Sequence, residues 1–134
     1  MNGPSFQKVV ASTGARVVRG DANSVVLRGV STDTRSIRPD ELFIGLDGPT
    51  LRGADFAKAA IEKGANALLL DANADWESLP GDAGIALHPK PRRALGDLGA
   101  WWRSQLDVPV IGITGSCGKT TVKNILRDLL SQRM

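Results

Sequence analysis

The sequence predicts an α/β domain with a small, mainly parallel sheet layered with helices, followed by an isolated strand, phosphate loop and helix that open a truncated second domain. Three observations predict it. Short apolar runs alternate with segments of helical spacing along most of the chain. Residues 42–70 read as strand, helix and strand, the length of a crossover that joins a parallel pair. Close to the C-terminus, a β-branched run at residues 108–113 enters a glycine loop and then a helix, the order a phosphate-binding unit needs.

Taken in order, Ser5 is placed to cap a short helix with Phe6, Val9 and Val10 on one face, and Gly14 ends it. Residues 15–18 and 25–30 read as a pair of strands joined by the polar turn at Gly20, Asp21, Ala22 and Asn23. A turn over residues 38–41 leads to a buried strand at residues 42–46. Asp55 then reads as the N-cap of a helix over residues 56–63, with Gly64 as its stop and a strand at residues 67–70 beyond. Residues 71–83 are irregular, and Trp76 there reads as a cover for the edge of the core. Residues 84–87 form one more strand, and His88, with no second histidine in the chain, reads as a surface loop residue. Pro91 suits a first helical turn, and Ala94, Leu95, Leu98, Trp101, Trp102 and Leu106 recur at helical spacing as a packing face. No internal repeat or low-complexity tract interrupts this order.

Two stretches carry chemistry. In the first, Ser31, Thr32, Asp33, Thr34, Arg35 and Ser36 crowd hydroxyls, a carboxylate and a guanidinium between strand-like segments. Such side chains fix a loop through their own backbone and leave donors and acceptors for the edge of a nucleobase or ribose. The same residues read equally well as an ordinary turn with a solvated arginine. The loop over residues 47–55 offers Arg52 as a ligand for a phosphate ester. In the second stretch, Gly115 and Gly118 let the backbone aim its N–H groups at an anion. Lys119 stands at the mouth of a helix beginning around Thr120, whose hydroxyl suits the magnesium that accompanies a nucleoside triphosphate. The full phosphate-loop pattern asks for glycine where Ile113 stands, so the shorter G-x-x-G-K-T-T is present. A single helix over residues 122–131 follows, which leaves half a nucleotide site.

Composition narrows the classes. In 134 residues, 42% hydrophobic and 23% charged, there is room for one domain of ordinary size and no disordered bias. No run approaches a membrane span and no signal peptide opens the chain, so a cytoplasmic location is expected. The net charge of +3 is spread along the chain, and aromatics make up only 4%, which argues against a nucleic-acid surface. The lone Cys117 forms no internal disulfide; it reads as a small filler of the phosphate loop, with alkylation near bound nucleotide as the other reading.

Ser31-Thr32-Asp33-Thr34-Arg35, Glu41-Leu42-Phe43-Ile44-Gly45-Leu46, Gly53-Ala54-Asp55-Phe56, Gly64-Ala65-Asn66-Ala67-Leu68 and Gly115-Ser116-Cys117-Gly118-Lys119-Thr120-Thr121 stand in an order and spacing that resemble the N-terminal part of the Mur ligases of bacterial peptidoglycan synthesis. Thr34 and the helix carrying Leu95, Leu98, Trp101 and Trp102 favour the branch that adds D-alanyl-D-alanine to UDP-N-acetylmuramoyl-tripeptide. The resemblance implies an N-terminal UDP-substrate-binding domain at residues 1–106 and the start of a central ATP-binding domain at residues 107–134. It implies an ATP-dependent ligase in which ATP makes an acyl phosphate that the incoming amine attacks. Thr32, Asp33, Thr34 and Arg35 would sit at the uracil end, and Pro49, Thr50, Leu51 and Arg52 would border the rest of the UDP moiety. Gly115, Ser116, Cys117, Gly118, Lys119, Thr120 and Thr121 would hold the ATP phosphates, with Lys119 as the catalytic cation on the β/γ end and Thr120 on Mg2+. The chain departs from the family at Ala54, often histidine, and at Lys90, often aspartate. A truncated ligase is expected, able to bind the UDP-substrate at most, and prone to self-association through an uncovered C-terminal helix. The alternatives are a free-standing nucleotide-binding module that regulates or scaffolds a partner, and, ranked lowest, a small phosphoryl-transfer enzyme.

Overall fold

In the computed structural model, which describes residues 3–132, five strands form one mixed sheet in the order β1-β5-β4-β3-β2. The strands are β1 (Arg16–Arg19), β2 (Gly29–Ser31), β3 (Glu41–Ile44), β4 (Ala67–Asp71) and β5 (Gly84–His88). The helices are α1 (Phe6–Thr13), α2 (Ala57–Glu62), α3 (Pro91–Ser104) and α4 (Lys119–Ser131), with a 3-10 turn over Gly53–Phe56 running into α2. Residues 1, 2, 133 and 134, which fall within the two expected domains, lie outside the described residues.

β2 through β5 are parallel, and only β1 runs against its neighbour, pairing Arg16 with Leu87. Alternation along the inner strands explains why they read as unbroken apolar runs: each face meets a helical layer. Leu42, Ile44, Ala67, Leu69 and Ala86 pack with Phe6 and Val9 of α1 and Ala94 and Leu98 of α3. Phe43, Leu68, Leu70, Ile85 and Leu87 pack on the other face with Ala57 and Ala60 of α2. The result is three layers, helix, sheet and helix. The expected N-cap is present, with Ser5 Oγ accepting from the Lys8 N–H at 3.3 Å, and Gly14 ends α1 in the left-handed region. Trp76 is the expected cover, packed on the second cluster and under the Arg19 guanidinium, which donates to the carbonyls of Trp76 and Leu79.

The structure departs from five expectations. The two early strands do not pair; β1 and β2 occupy opposite edges, because β1 finds its partner in β5. Of residues 25–30 only the end is strand, since Val25 and Leu27 are spent on the core against α1 and β3. Asp55 does not cap α2; the chain enters through the 3-10 turn, and Phe56 holds the N-cap position without a side-chain bond. His88 is the half-buried last residue of β5, with Nδ1 accepting from the Lys90 N–H at 2.9 Å. The stretch over residues 108–113 is also not a strand. A strand needs a neighbour to bond, and Val108, Val110 and Ile111 are exposed without one among the described residues.

Candidate nucleotide-binding site

Because β2, β3 and β4 are parallel, their exit loops gather at the carboxyl ends of the strands, where open α/β sheets place their ligands. The loop after β2 folds on itself. Ser31 Oγ accepts from the Asp33 N–H and donates to the Asp33 carbonyl at 3.0 Å. The Asp33 carboxylate accepts from the Arg35 N–H at 2.8 Å, from Nε at 3.0 Å and from Nη2 at 2.6 Å. The Arg35 guanidinium and then its backbone N–H hold the Asp33 carboxyl down at about 2, and the pairing raises the Arg35 pKa in turn. Asp33 is therefore occupied in shaping the loop. The hydroxyls of Thr32 and Thr34 make no hydrogen bond among the described residues and stay available.

The loop after β3 returns to the sheet at a backbone crossing. A Cβ built on Gly53 would stand 2.2 Å from the carbonyl carbon of Gly45, so the two glycines pass closer than any side chain allows. Asp47 fixes the loop from within, its Oδ1 accepting from the Gly53 N–H at 2.8 Å, while Arg92 of α3 donates to the Asp47 carbonyl. A turn closed by the Gly48 N–H on the Leu51 carbonyl carries Pro49 and Thr50 at its exposed tip.

These loops bring Thr32, Asp33, Thr34 and Arg35 together with Leu51, Phe43 and Phe56 around one cleft of about 390 Å3. Polar groups form one wall and apolar ones the other, the arrangement suited to a flat ring with hydrogen-bonding edges. Arg52 is not in this cleft. It lines a separate polar cleft with Asp55, Lys58, Asn73 and Asp75. Phe43 and Phe56 escaped the sequence reading as site residues. The available signal was a phenylalanine beside Asp55 in a chain with few aromatics, and in the structure Phe56 is 38% exposed.

At the second candidate site, α4 starts at Lys119 after Gly118, whose φ of 77° is left-handed and which supplies no side-chain cap. The first helical bond runs from the Val122 N–H to the Gly118 carbonyl, which leaves the N–H groups of Lys119, Thr120 and Thr121 without helical partners. Lys119 Nζ donates to the Gly115 carbonyl at 2.6 Å, closing the loop that contains Ser116 and Cys117. Lys119 and Thr120 border an open cleft of about 300 Å3 with Ile111, Ile113 and Lys123. Free amides, a lysine inside the loop and an uncapped helix start fit a polyphosphate. Thr120 fits magnesium as a single ligand, and among the described residues no group of three His, Cys, Asp or Glu stands ready to hold a metal.

A family model described as the Mur ligase family, catalytic domain, matches residues 26–100, which include both walls of the first cleft. The UDP-N-acetylmuramoyl-tripeptide--D-alanyl-D-alanine ligase of Treponema pallidum (strain Nichols) is 40% identical over 140 residues, covering 96% of this chain and 30% of that protein. MurF from Acinetobacter baumannii has a similar structure, with a TM-score of 0.81 at 25% identity over 98% of this chain and 28% of that one. The MurF ligase from Thermotoga maritima, solved in complex with ADP, has a TM-score of 0.62 at 28% identity over 77% of this chain and 23% of that one. The chain thus spans less than a third of the length of these relatives.

Proposed function

Because the chain belongs to the Mur ligase family, we propose that its 134 residues form the UDP-substrate-binding domain and the opening of the ATP-binding domain of a peptidoglycan-precursor ligase that adds D-alanyl-D-alanine to UDP-N-acetylmuramoyl-tripeptide. The observation that carries the reading is the cleft that joins the loop at residues 32–35 to Leu51, Phe43 and Phe56. Thr32 and Thr34 offer hydroxyls to the edge of the uracil, Phe56 offers a face, and the Asp33 and Arg35 pair holds the loop in shape before ligand arrives. Pro49 and Thr50 stand at the exposed tip of the same loop and Arg52 lines the second, polar cleft, the side on which the diphosphate and sugar would run.

Residues 115–121 would hold ATP, with Lys119 moving from the Gly115 carbonyl to the β/γ end and Thr120 contributing its hydroxyl to Mg2+. ATP supplies the activation of the substrate carboxylate, and D-alanyl-D-alanine is a partner of the whole ligase only. The isolated 134 residues are expected to bind the UDP-substrate and not to turn over. A cytoplasmic setting goes with this reading; no helix among the described residues is long and apolar enough to cross a membrane. The exposed Val122, Ile125, Leu129 and Leu130 of α4 support self-association of the isolated chain, which sedimentation velocity would detect as a dimer.

Heteronuclear NMR titration tests the reading. With UDP-N-acetylmuramoyl-tripeptide, amide shifts are expected at Thr32, Asp33, Thr34, Arg35 and Leu51; with MgATP, at residues 115–121. Shifts confined to residues 115–121 would instead identify a nucleotide-binding module, and ATP-dependent ligation by the isolated chain would overturn its assignment as inactive.

A further inference from the structure

Lys63 lies outside every motif, at the far end of α2 from the cleft. Its position is nonetheless fixed. Gly64, which follows it, accepts from the Asp40 N–H at 2.9 Å and packs against Pro39, so this helix end is tied to the connection between β2 and β3. From that anchor the Lys63 side chain reaches across, and Nζ donates to the Thr34 carbonyl at 2.6 Å. The same peptide group is held at its other pole, because the Arg35 N–H donates to Asp33 Oδ1 at 2.8 Å. A peptide bonded at both its carbonyl and its N–H cannot rotate without breaking both contacts, one of which is made by an ammonium. The Lys63 charge also contributes to holding the Asp33 carboxyl low, so the lysine is felt on both sides of the loop.

The other wall belongs to the same unit. Phe56 ends the 3-10 turn that continues directly into α2, and Lys63 is the C-cap of α2. Lys63 therefore links the helix that carries the aromatic wall to the loop that carries the polar one. We propose that Lys63 is a positioning residue for the nucleotide cleft, bracing the peptide between Thr34 and Arg35 so that the Thr34 hydroxyl and Phe56 keep one separation. This rests on the reading of the cleft as the uracil site. It goes beyond it by assigning part of the affinity to a side chain that touches neither base nor phosphate.

The test compares the 134-residue chain with its Lys63→Met and Lys63→Arg variants, using UDP as the probe, isothermal calorimetry for affinity and thermal unfolding as control. Lys63→Met is expected to weaken UDP binding roughly three- to tenfold, the range expected when one charge-assisted hydrogen bond is lost at an exposed site. Lys63→Arg, which keeps a donor and the charge, is expected to recover most of it, with the unfolding midpoint and the MgATP shifts at residues 115–121 unchanged in both. Equal UDP affinity for wild type and Lys63→Met would overturn the proposal and leave the uracil site standing. Affinity lost in step with the unfolding midpoint in both variants would overturn it in favour of a purely structural role. Failure of the wild-type chain to bind UDP would remove the site reading and this inference together.

Discussion

Asp33 is a carboxylate whose surroundings almost completely assign it. The three donor groups of Arg35 favour its charged form, so its folded-state value of about 2 lies below the ordinary 3.8. The sign follows directly: the contribution to stability is present above the unfolded value, near 4, and disappears as the pH falls through 2. A carboxyl-carbon NMR titration should give a midpoint near 2 for Asp33 and, in Arg35→Ala, a midpoint raised part of the way toward the usual carboxylate range, because the backbone N–H of residue 35 and the Lys63 charge remain; an unchanged midpoint in the variant would remove the guanidinium as the main cause. That short polar side chains would fix this loop locally was legible in the sequence, whereas the Asp33 and Arg35 pair itself was not read there. Residues two apart in a Ser/Thr/Asp turn meet whatever the rest of the fold does. Lys63 was not legible, because its partner Thr34 is brought to it only by the packing of α2 on the sheet.

At the scale of elements, the crossing of Gly45 and Gly53 decides where the loop after β3 can go. Gly53→Ala would drive a methyl group into the Gly45 backbone, and an urea unfolding curve should show a loss of at least about 2 kcal/mol. The same variant should lose the UDP-dependent shift of Leu51, since the loop that carries it no longer returns to the cleft. Helices α3 and α4 make a second comparison. Both show amphipathic spacing in the sequence, but α3 buries Ala94 and Leu98 against α1 and the sheet, whereas α4 buries nothing. Leu98→Ala should therefore cost about 2–5 kcal/mol, and Leu129→Ala should stay within about 0.5 kcal/mol in the isolated chain. Periodicity predicts that a helix has an apolar face and is silent on whether a surface exists to receive it. The same limit explains residues 108–113, whose β-branched residues read as a strand although β pairing depends on a neighbour that spacing cannot reveal.

For the molecule as a whole, the weight of the fold lies before residue 107. The sheet, both apolar clusters and α1 through α3 fall there, and the phosphate loop and α4 add no buried residue. Deletion of residues 107–134 should leave the unfolding midpoint within a few degrees of the full chain, and limited proteolysis should cut first between α3 and α4; a large fall in the midpoint would show that the tail supports the sheet. The alternation of strands and helices made the parallel sheet legible, while its strand order was not, because pairing β1 with β5 joins the two ends of the folded unit. That pairing also sets an order in time. During synthesis β1 leaves the ribosome before β5, the one strand that pairs with it among the described residues, so its pairing waits until the rest of the sheet has been made. Of the five strands, β1 is made before the other four and gains its strand partner last.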